Sequence, residues 1–265
     1  MQRLNLILGT ACISVVVAAA LLSWFWLPYD PNALNFGAQL APPSQAHWLG
    51  TDNLGRDLFS RLLVGARGSL YVGVIAVGIA VVAGCSMGAL AGYAGGWFDD
   101  VIMRLIDVLY AFPAILMALL LAAVYRPGTL TAMTAIGVAT TPVFARLMRA
   151  SVLSIKRLDF IEAGRALGAP DRRVLLRHIL PNTLSPIIVQ ASLSLAVAIL
   201  AEAALSFLGL GTPPRTPSWG NMLREAQSFL ALSPYPVLVP GVAIVFTVLG
   251  WSLLGDGLRD WLEPS

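Results

Sequence analysis

The chain has 265 residues, of which 57% are hydrophobic and 12% are charged, and its formal net charge is +3. Ordinary soluble domains carry about 25% charged residues, so a soluble globular fold with a charged surface is excluded. The charges are clustered, which leaves charge-free stretches at residues 4–29, 68–98, 108–125, 127–145, 178–201 and 226–255. Each approaches or exceeds the roughly 20 residues that a helix needs to cross a bilayer. We therefore predict an all-α membrane protein with six transmembrane helices.

The first apolar stretch predicts a transmembrane helix at residues 1–27 that is retained as an anchor. Its length exceeds the apolar core of a signal peptide, and no clear small-residue cleavage site follows it. Cys12 and Cys85 both fall in predicted spans. The sequence therefore indicates neither a disulfide framework nor a Cys-ligated metal site.

Residues 28–68 are rich in Pro, Gly and Trp, which predicts an outer segment that lies against the membrane. Within it, Leu58, Phe59, Leu62 and Leu63 form an apolar stripe beside charged residues. Such a stripe is typical of a short interfacial helix.

The second charge-free stretch contains Gly84, Gly88 and Gly92, which recur every four residues. Small residues at this spacing allow two helices to approach closely, so they predict helix packing rather than a ligand site. Further along, Arg104 and Asp107 are spaced i, i+3. We expect a local ion pair between them.

The distribution of positive charge predicts the topology. Residues 146–177 carry eight Lys or Arg and three Asp or Glu. The positive-inside rule places this connection in the cytoplasm, and six spans then place both termini there as well. We predict a membrane domain at residues 69–255, containing a cytoplasmic segment at 146–181, and a cytoplasmic tail at 256–265.

The cytoplasmic segment is predicted to fold as two short helices joined by a turn. Asp159 can cap the first helix, with Glu162 three residues on in a capping-box position. Gly168 suits a left-handed helix end, Pro170 the first position of a second helix, and Pro181 its end. Because aliphatic residues interrupt the basic ones, a nucleic-acid-binding arm is not indicated.

Glu202 lies in the fifth predicted span, where an ionised carboxylate is costly unless it faces water or a partner group. Two interpretations are open at this point. The carboxylate either forms hydrogen bonds that fix helix packing, or it lines a transport pathway.

Motifs for catalysis and metal binding are missing from the sequence. Lys156 is the only lysine and follows no glycine-rich loop, so the chain has no Walker A motif. His47 and His178 are the only histidines, and the predicted topology separates them by the membrane. A secondary transporter and a membrane-embedded enzyme remain as alternatives, but neither a convincing internal repeat nor a catalytic constellation is present.

Glu162-Ala163-Gly164, Gly168 and Leu180-Pro181 resemble the EAA signature of binding-protein-dependent ABC importer permeases. In that pattern EAA is followed after three residues by Gly and after nine more by I-x-L-P. Gly164 stands where the second Ala is usual, and His178 where Ile is usual. In the family this segment forms the coupling helix, which sits in a cleft of the cytoplasmic ATPase. The resemblance assigns the coupling role to Asp159, Glu162, Ala163, Gly164, Arg165, Ala166, Leu167, Gly168 and Ala169.

Further blocks resemble the second permease subunit of dipeptide, oligopeptide and nickel importers. They lie at residues 49–52, 55–57, 65–70, 206–211, 219–220 and 255–260. The resemblance implies a type I, methionine-importer-like permease fold in the bacterial inner membrane. It also implies that the chain forms half of a pathway for di- or oligopeptides, with nickel or another small solute as the alternative cargo.

The same resemblance implies the partners. They are a sister permease that completes a heterodimer, two ABC ATPases, an extracytoplasmic solute-binding protein and membrane lipid. ATP and Mg would be bound by the ATPases, so we expect no cofactor and no enzymatic activity in this chain. Nucleic acid is not an expected partner.

Overall fold

The computed structural model describes residues 2–262, and all their regular elements are helical apart from one isolated bridge between Thr51 and Asp57. The predicted all-α class is confirmed. The α-helices are α1 Gln2–Phe25, α2 Leu58–Ala94, α3 Gly96–Ala111, α4 Ala114–Tyr125, α5 Thr129–Ile155, α6 Asp159–Ala166, α7 Asp171–Arg173, α8 Leu184–Phe207, α9 Trp219–Ala226 and α10 Tyr235–Leu262.

Five helical runs are long and apolar enough to cross a membrane, and a bent pair makes six. The five runs are Leu4–Phe25, Leu58–Ala94, Thr129–Ile155, Asp171–Phe207 and Tyr235–Leu262, and the pair is α3 with α4, which meet at 91°. The apolar stretch at residues 108–125, predicted as a span, is part of this bent pair and is not one continuous helix. Pro113 lacks the N–H that would continue the helix, and it holds Phe112 in an extended conformation, with φ −84° and ψ 123°.

The stripe of glycines in α2 lies against α5, as its spacing predicts. A Cβ atom on Gly88 would lie 2.2 Å from the backbone oxygen of Ala145, and Cβ atoms on Gly84 and Gly92 would meet α5 backbone oxygens at 2.6 and 3.0 Å. Larger residues would force the two helices apart. The packing role of the three glycines is confirmed.

A separate interfacial helix before the second span is absent from the described residues. The apolar stripe at residues 58–63 instead forms the first turns of α2, which runs unbroken from Leu58 to Ala94. Leu58 and Leu63 are buried, and the Trp219 indole Nε1 donates a hydrogen bond to the Leu62 carbonyl oxygen at 3.1 Å. The stripe therefore packs against α9 rather than against lipid, and the predicted boundary at residue 68 falls inside a helix.

The helix that follows the predicted turn does not end at Pro181. The chain is helical from Asp171 to Phe207, through a π-helical stretch at Val174–Ile179 and a 3-10 stretch at Leu180–Thr183. Changes of winding free backbone groups locally, so the chain accommodates a proline without ending the helix. The predicted cytoplasmic segment and the fifth span are thus mechanically continuous.

The first and last helices run antiparallel. Gly9 packs directly against Leu254, and Gly257 against Leu6. The N-terminal end of α1 and the C-terminal end of α10 therefore lie at the same end of the bundle. An even number of membrane crossings requires this arrangement. Residues 256–262 belong to α10 rather than to a tail, and 263–265 lie outside the described residues.

We name the two ends of the bundle by their contents. The basic end carries residues 156–183, with five arginines, and the ends of α2 and α10. The loop end carries residues 26–57 and 208–234 together with α9. Which end faces the cytoplasm remains a prediction from charge.

Candidate functional site

The segment predicted to act as the coupling helix contains a helix, α6, at the basic end. Its N-cap is Leu158, which has an extended backbone and makes no side-chain cap hydrogen bond. The predicted cap by Asp159 is therefore wrong, because Asp159 is already the first helical residue. Asp159 and Glu162 both lie in the first turn, where a carboxylate is stabilised by the positive end of the helix dipole.

The C-terminal end of α6 is a Schellman motif centred on Gly168. The Gly168 N–H donates to the Arg165 carbonyl at 2.9 Å, and the Ala169 N–H donates to the Gly164 carbonyl at 3.1 Å. Gly168 has φ +81°, so the predicted left-handed stop is confirmed. A Cβ here would meet no atom within 4 Å, so the glycine is required by the backbone conformation and not by a close neighbour in this chain.

α6 buries one side chain in the bundle and leaves most of the others exposed. Ile161 is buried in the core, whereas Phe160 and Leu167 are 49% and 89% exposed. Of the nine residues to which the resemblance assigns coupling, seven are exposed, and only Gly164 and Ala169 are half-buried. A short helix that presents apolar side chains outside the bundle has the surface of a docking element.

Pro170 stands one position earlier than predicted, at the N-cap of α7 instead of the first helical residue. Its carbonyl accepts from the Arg173 N–H at 2.8 Å and the Val174 N–H at 3.1 Å. The turn at Gly168 and the N-cap at Pro170 hold α6 against the long helical run that leads into the membrane.

Tyr93 joins the coupling segment to the end of α2, a contact that no sequence motif indicated. Its hydroxyl donates to the Asp171 carboxylate and accepts from the Arg165 guanidinium at 3.4 Å. Its backbone carbonyl accepts from Lys156 Nζ at 2.5 Å. One residue of α2 therefore contacts the end of α5, α6 and the start of α7.

Two ion pairs tie α3 to α5 near the basic end. Arg149 donates to both oxygens of Asp99 at 2.6 Å, and Arg146 donates to Asp107 at 2.7 Å. The expected pair between Arg104 and Asp107 is wrong, because Asp107 is taken by an arginine 39 residues away in sequence. The i, i+3 spacing of Arg104 and Asp107 on α3 did not reveal that the partner of Asp107 lies on α5.

Glu202 lies in α8 towards the loop end, far along the bundle from the coupling segment. It is 1% exposed. Its carboxylate accepts hydrogen bonds from the hydroxyls of Ser206 at 2.7 Å, Thr212 at 3.2 Å and Ser69 at 3.4 Å. The Thr212 carbonyl in turn accepts from the Asn221 side chain at 2.8 Å. These bonds connect α2, α8, the following loop and α9.

The loop end also holds a buried ionic network that sequence reasoning missed. Arg56 donates to Asp52 at 2.6 Å and to Glu225 at 2.5 Å. Arg61 is 1% exposed, donates to the same Glu225 at 2.9 Å and lies 3.7 Å from Asp52. The network fastens the segment before α2 to α9, and Glu225 is too distant in sequence from both arginines for spacing to pair them.

Within residues 2–262 no group of three or more His, Cys, Asp or Glu side chains is placed to hold a metal ion. The chemistry that the described residues offer is that of docking surfaces and of buried hydrogen-bond networks.

Comparison with known proteins gives concordant matches. Residues 80–265 match the family described as binding-protein-dependent transport system inner membrane component. The glutathione transport system permease protein GsiD of Pectobacterium atrosepticum is 44% identical over 96% of this chain and 84% of its own length. The dipeptide transport system permease protein DppC of Alkalihalophilus pseudofirmus is 44% identical over 98% of this chain and 84% of its own.

The fold is similar to that of a solved transporter. The MetNI methionine ABC transporter, in an inward-facing conformation, matches with a TM-score of 0.64 over 76% of this chain and 96% of its own, at 18% identity. This likeness shows the fold alone, and it agrees with the predicted methionine-importer-like type I fold.

Proposed function

Because this chain belongs to the family of binding-protein-dependent transport system inner membrane components, it is the permease of an ABC importer, and we propose that its cargo is a small peptide. Family membership decides against the secondary-transporter and membrane-enzyme alternatives. The observation that carries the cargo proposal is the identity of 44% with both a glutathione and a dipeptide permease over nearly the whole chain. Nickel remains the alternative cargo.

Uptake assays with the cognate solute-binding protein test this proposal. Cells that carry the complete transport system should accumulate labelled glutathione or dipeptide, and a strain that lacks only this chain should not. Accumulation of nickel without uptake of any peptide would make nickel, and not a peptide, the cargo of this permease.

We further propose that α6 docks onto an ATPase subunit, which binds the ATP and Mg, and passes its movement to the bundle. The exposed apolar residues of α6, its Schellman turn and its continuity with α8 support this proposal. The pathway would be completed by a sister permease, and the solute-binding protein would meet the loop end. In this arrangement the chain contributes half of a heterodimeric pathway and hydrolyses nothing itself.

The proposed orientation, in a bacterial inner membrane, puts the basic end and both termini in the cytoplasm. Ser44 at the loop end and Arg173 at the basic end are both exposed. Single cysteines at these positions, in a background with Cys12 and Cys85 replaced, should differ in reaction with an impermeant thiol reagent on intact cells. Labelling should occur at 44 only; equal labelling, or labelling only at 173, would overturn the orientation.

For Glu202 we propose the packing role rather than the pathway role. The support is its burial and the three hydroxyl groups, from three parts of the chain, that donate to it. A carboxylate that lines an aqueous pathway needs exposed area to meet cargo, and this one is almost fully enclosed.

A further inference from the structure

A cavity of about 510 Å³ opens between α1, α2 and the chain around residues 212–216 at the loop end. Its walls are mostly apolar and include Leu21, Val64, Leu70 and Tyr71, whereas one cation, Arg67, faces it. The volume lies within the roughly 300 to 1,000 Å³ of typical ligand sites. The cavity thus combines a hydrocarbon-like interior with a single positive charge.

Arg67 belongs to the block at residues 65–70 to which the transport function assigns no task. It is half-buried, and within residues 2–262 its guanidinium makes neither a side-chain hydrogen bond nor an ion pair. The guanidinium carbon lies 5.8 Å from the centroid of the Trp24 ring. Arg56 and Arg61, only a few residues earlier, are both paired with carboxylates.

This difference matters because arginine stays charged in proteins. A partly buried charge without a partner is costly, and the cost is removed by an anion with matching hydrogen-bond acceptors. Phosphate is such an anion, since its oxygens fit the two-pronged guanidinium.

The position of the cation along the bundle indicates where the anion comes from. Trp24 is the last residue but one of α1, and Thr129, which also lines the cavity, is the first residue of α5. The polar side of the cavity is therefore level with the ends of two spanning helices. That is the depth of lipid headgroups, where Trp is enriched in membrane proteins.

We propose that this cavity binds one phospholipid, with the phosphate on Arg67 and an acyl chain along Leu21, Leu70 and Tyr71. The hydroxyls of Thr129 and Thr216 border the cavity on the headgroup side and can donate to phosphate oxygens. A peptide carboxylate would neutralise Arg67 equally well, but it would leave the apolar walls against a polar molecule. A phospholipid matches both the charge of Arg67 and the apolar walls of the cavity.

The proposal is tested on the transport complex, purified in detergent through a tag on this chain and stripped of lipid. Palmitoyl-oleoyl phosphatidylglycerol is titrated, and binding is followed by native mass spectrometry. The wild type should bind one phospholipid per copy of the chain. Arg67→Met should bind the same phospholipid at least tenfold more weakly. Arg67→Lys should bind more tightly than Arg67→Met but more weakly than the wild type, because it keeps the charge and loses the two-pronged geometry. Arg215→Met, which removes an exposed arginine outside the cavity, should bind like the wild type.

A second variant fills the cavity without touching the charge. Leu21→Trp changes an exposed wall residue, so the fold should persist while lipid binding weakens. Equal binding by the wild type and Arg67→Met would overturn the proposal. So would displacement of the lipid by glycerol 3-phosphate alone, which would indicate a free-anion site. Displacement by dipeptide would indicate a cargo site and would overturn it as well.

Discussion

The two ends of this permease are built on opposite principles. At the loop end the charged side chains of Asp52, Arg56, Arg61 and Glu225 form ion pairs with one another inside the chain, and Trp219 is buried. At the basic end α6 buries only Ile161, and Phe160 and Leu167 are left exposed.

The difference separates an end whose charges are paired within the chain from an end whose apolar helix is left uncovered. A network whose charges are already paired loses nothing when the chain stands alone. An exposed apolar helix gains by burial, at roughly 25 cal/mol per Å² of apolar surface covered. Changes at the loop end should therefore act on stability, and changes in α6 should act on assembly and coupling.

The largest effect is expected from Gly168→Leu. The left-handed backbone costs a side chain about 1 to 2 kcal/mol, and the bulk lies on the surface proposed to meet the ATPase. Uptake should fall to background while membrane insertion persists, as measured by ATPase co-purification and solute-stimulated ATP hydrolysis. Glu162→Ala should weaken the same readouts.

The matched control is Gly164→Ala. Its Cβ would also enter open space, but the backbone there is helical, so uptake should be kept. Wild-type assembly, stimulation and uptake in both Gly168→Leu and Glu162→Ala would contradict the coupling role.

The next effect concerns Glu225, which pairs with two arginines. Glu225→Gln leaves Arg56 and Arg61 short of a counter-charge, and breaking a buried pair costs about 3 kcal/mol. We expect a lower melting temperature of the purified complex and less protein in the membrane. Asp30→Asn, at an exposed carboxylate of the same end, should change little. Equal melting of the two variants would mean that the network does not stabilise the loop end.

A smaller effect is expected from Glu202→Gln. The amide can still accept from Ser206 and Thr212, and it can donate to Ser69, so the loss should be about 1 kcal/mol. Uptake and assembly should survive. If uptake disappears while assembly and melting stay normal, the carboxylate charge itself acts in the pathway and the packing role is wrong.

A loss of stability as small as that of Glu202→Gln is expected from Tyr93→Phe. This change removes the hydroxyl that contacts Asp171 and Arg165, at a cost of about 1 kcal/mol. Assembly with the ATPase should persist, while uptake per ATP hydrolysed should fall by about fivefold or less. Tyr71→Phe, on an exposed position of the same helix, serves as the control. Identical coupling ratios in both variants would show that the Tyr93 contact does not transmit movement.

Local chemistry made much of the fold predictable. Apolar runs gave the spans, and the glycines of α2 gave the α2–α5 packing, because both depend on residues close in sequence. Gly168 was predictable for the same reason, since a helix end of this kind needs a residue that tolerates positive φ.

Predictions failed where distant residues decide the outcome. Asp107 pairs with Arg146 instead of Arg104, and Glu225 meets arginines more than 160 residues away. The apolar stripe at residues 58–63 was predicted to face lipid, because nothing local showed that Trp219 would cover it. The bend at Pro113 did have a local signal, the proline itself, which a count of apolar residues overlooks.

The length of α2 gives the close contact between α2 and α5 a mechanical meaning. Its 37 residues make a rod about 55 Å long, braced along one side by the backbone of α5. Such a braced rod bends little, so a tilt of about 5° imposed near Tyr93 would carry its far end sideways by about 5 Å. Such a motion would need no series of small rearrangements through the core. The rigid tilt of α2 alone would move residues at one membrane surface when force is applied at the other.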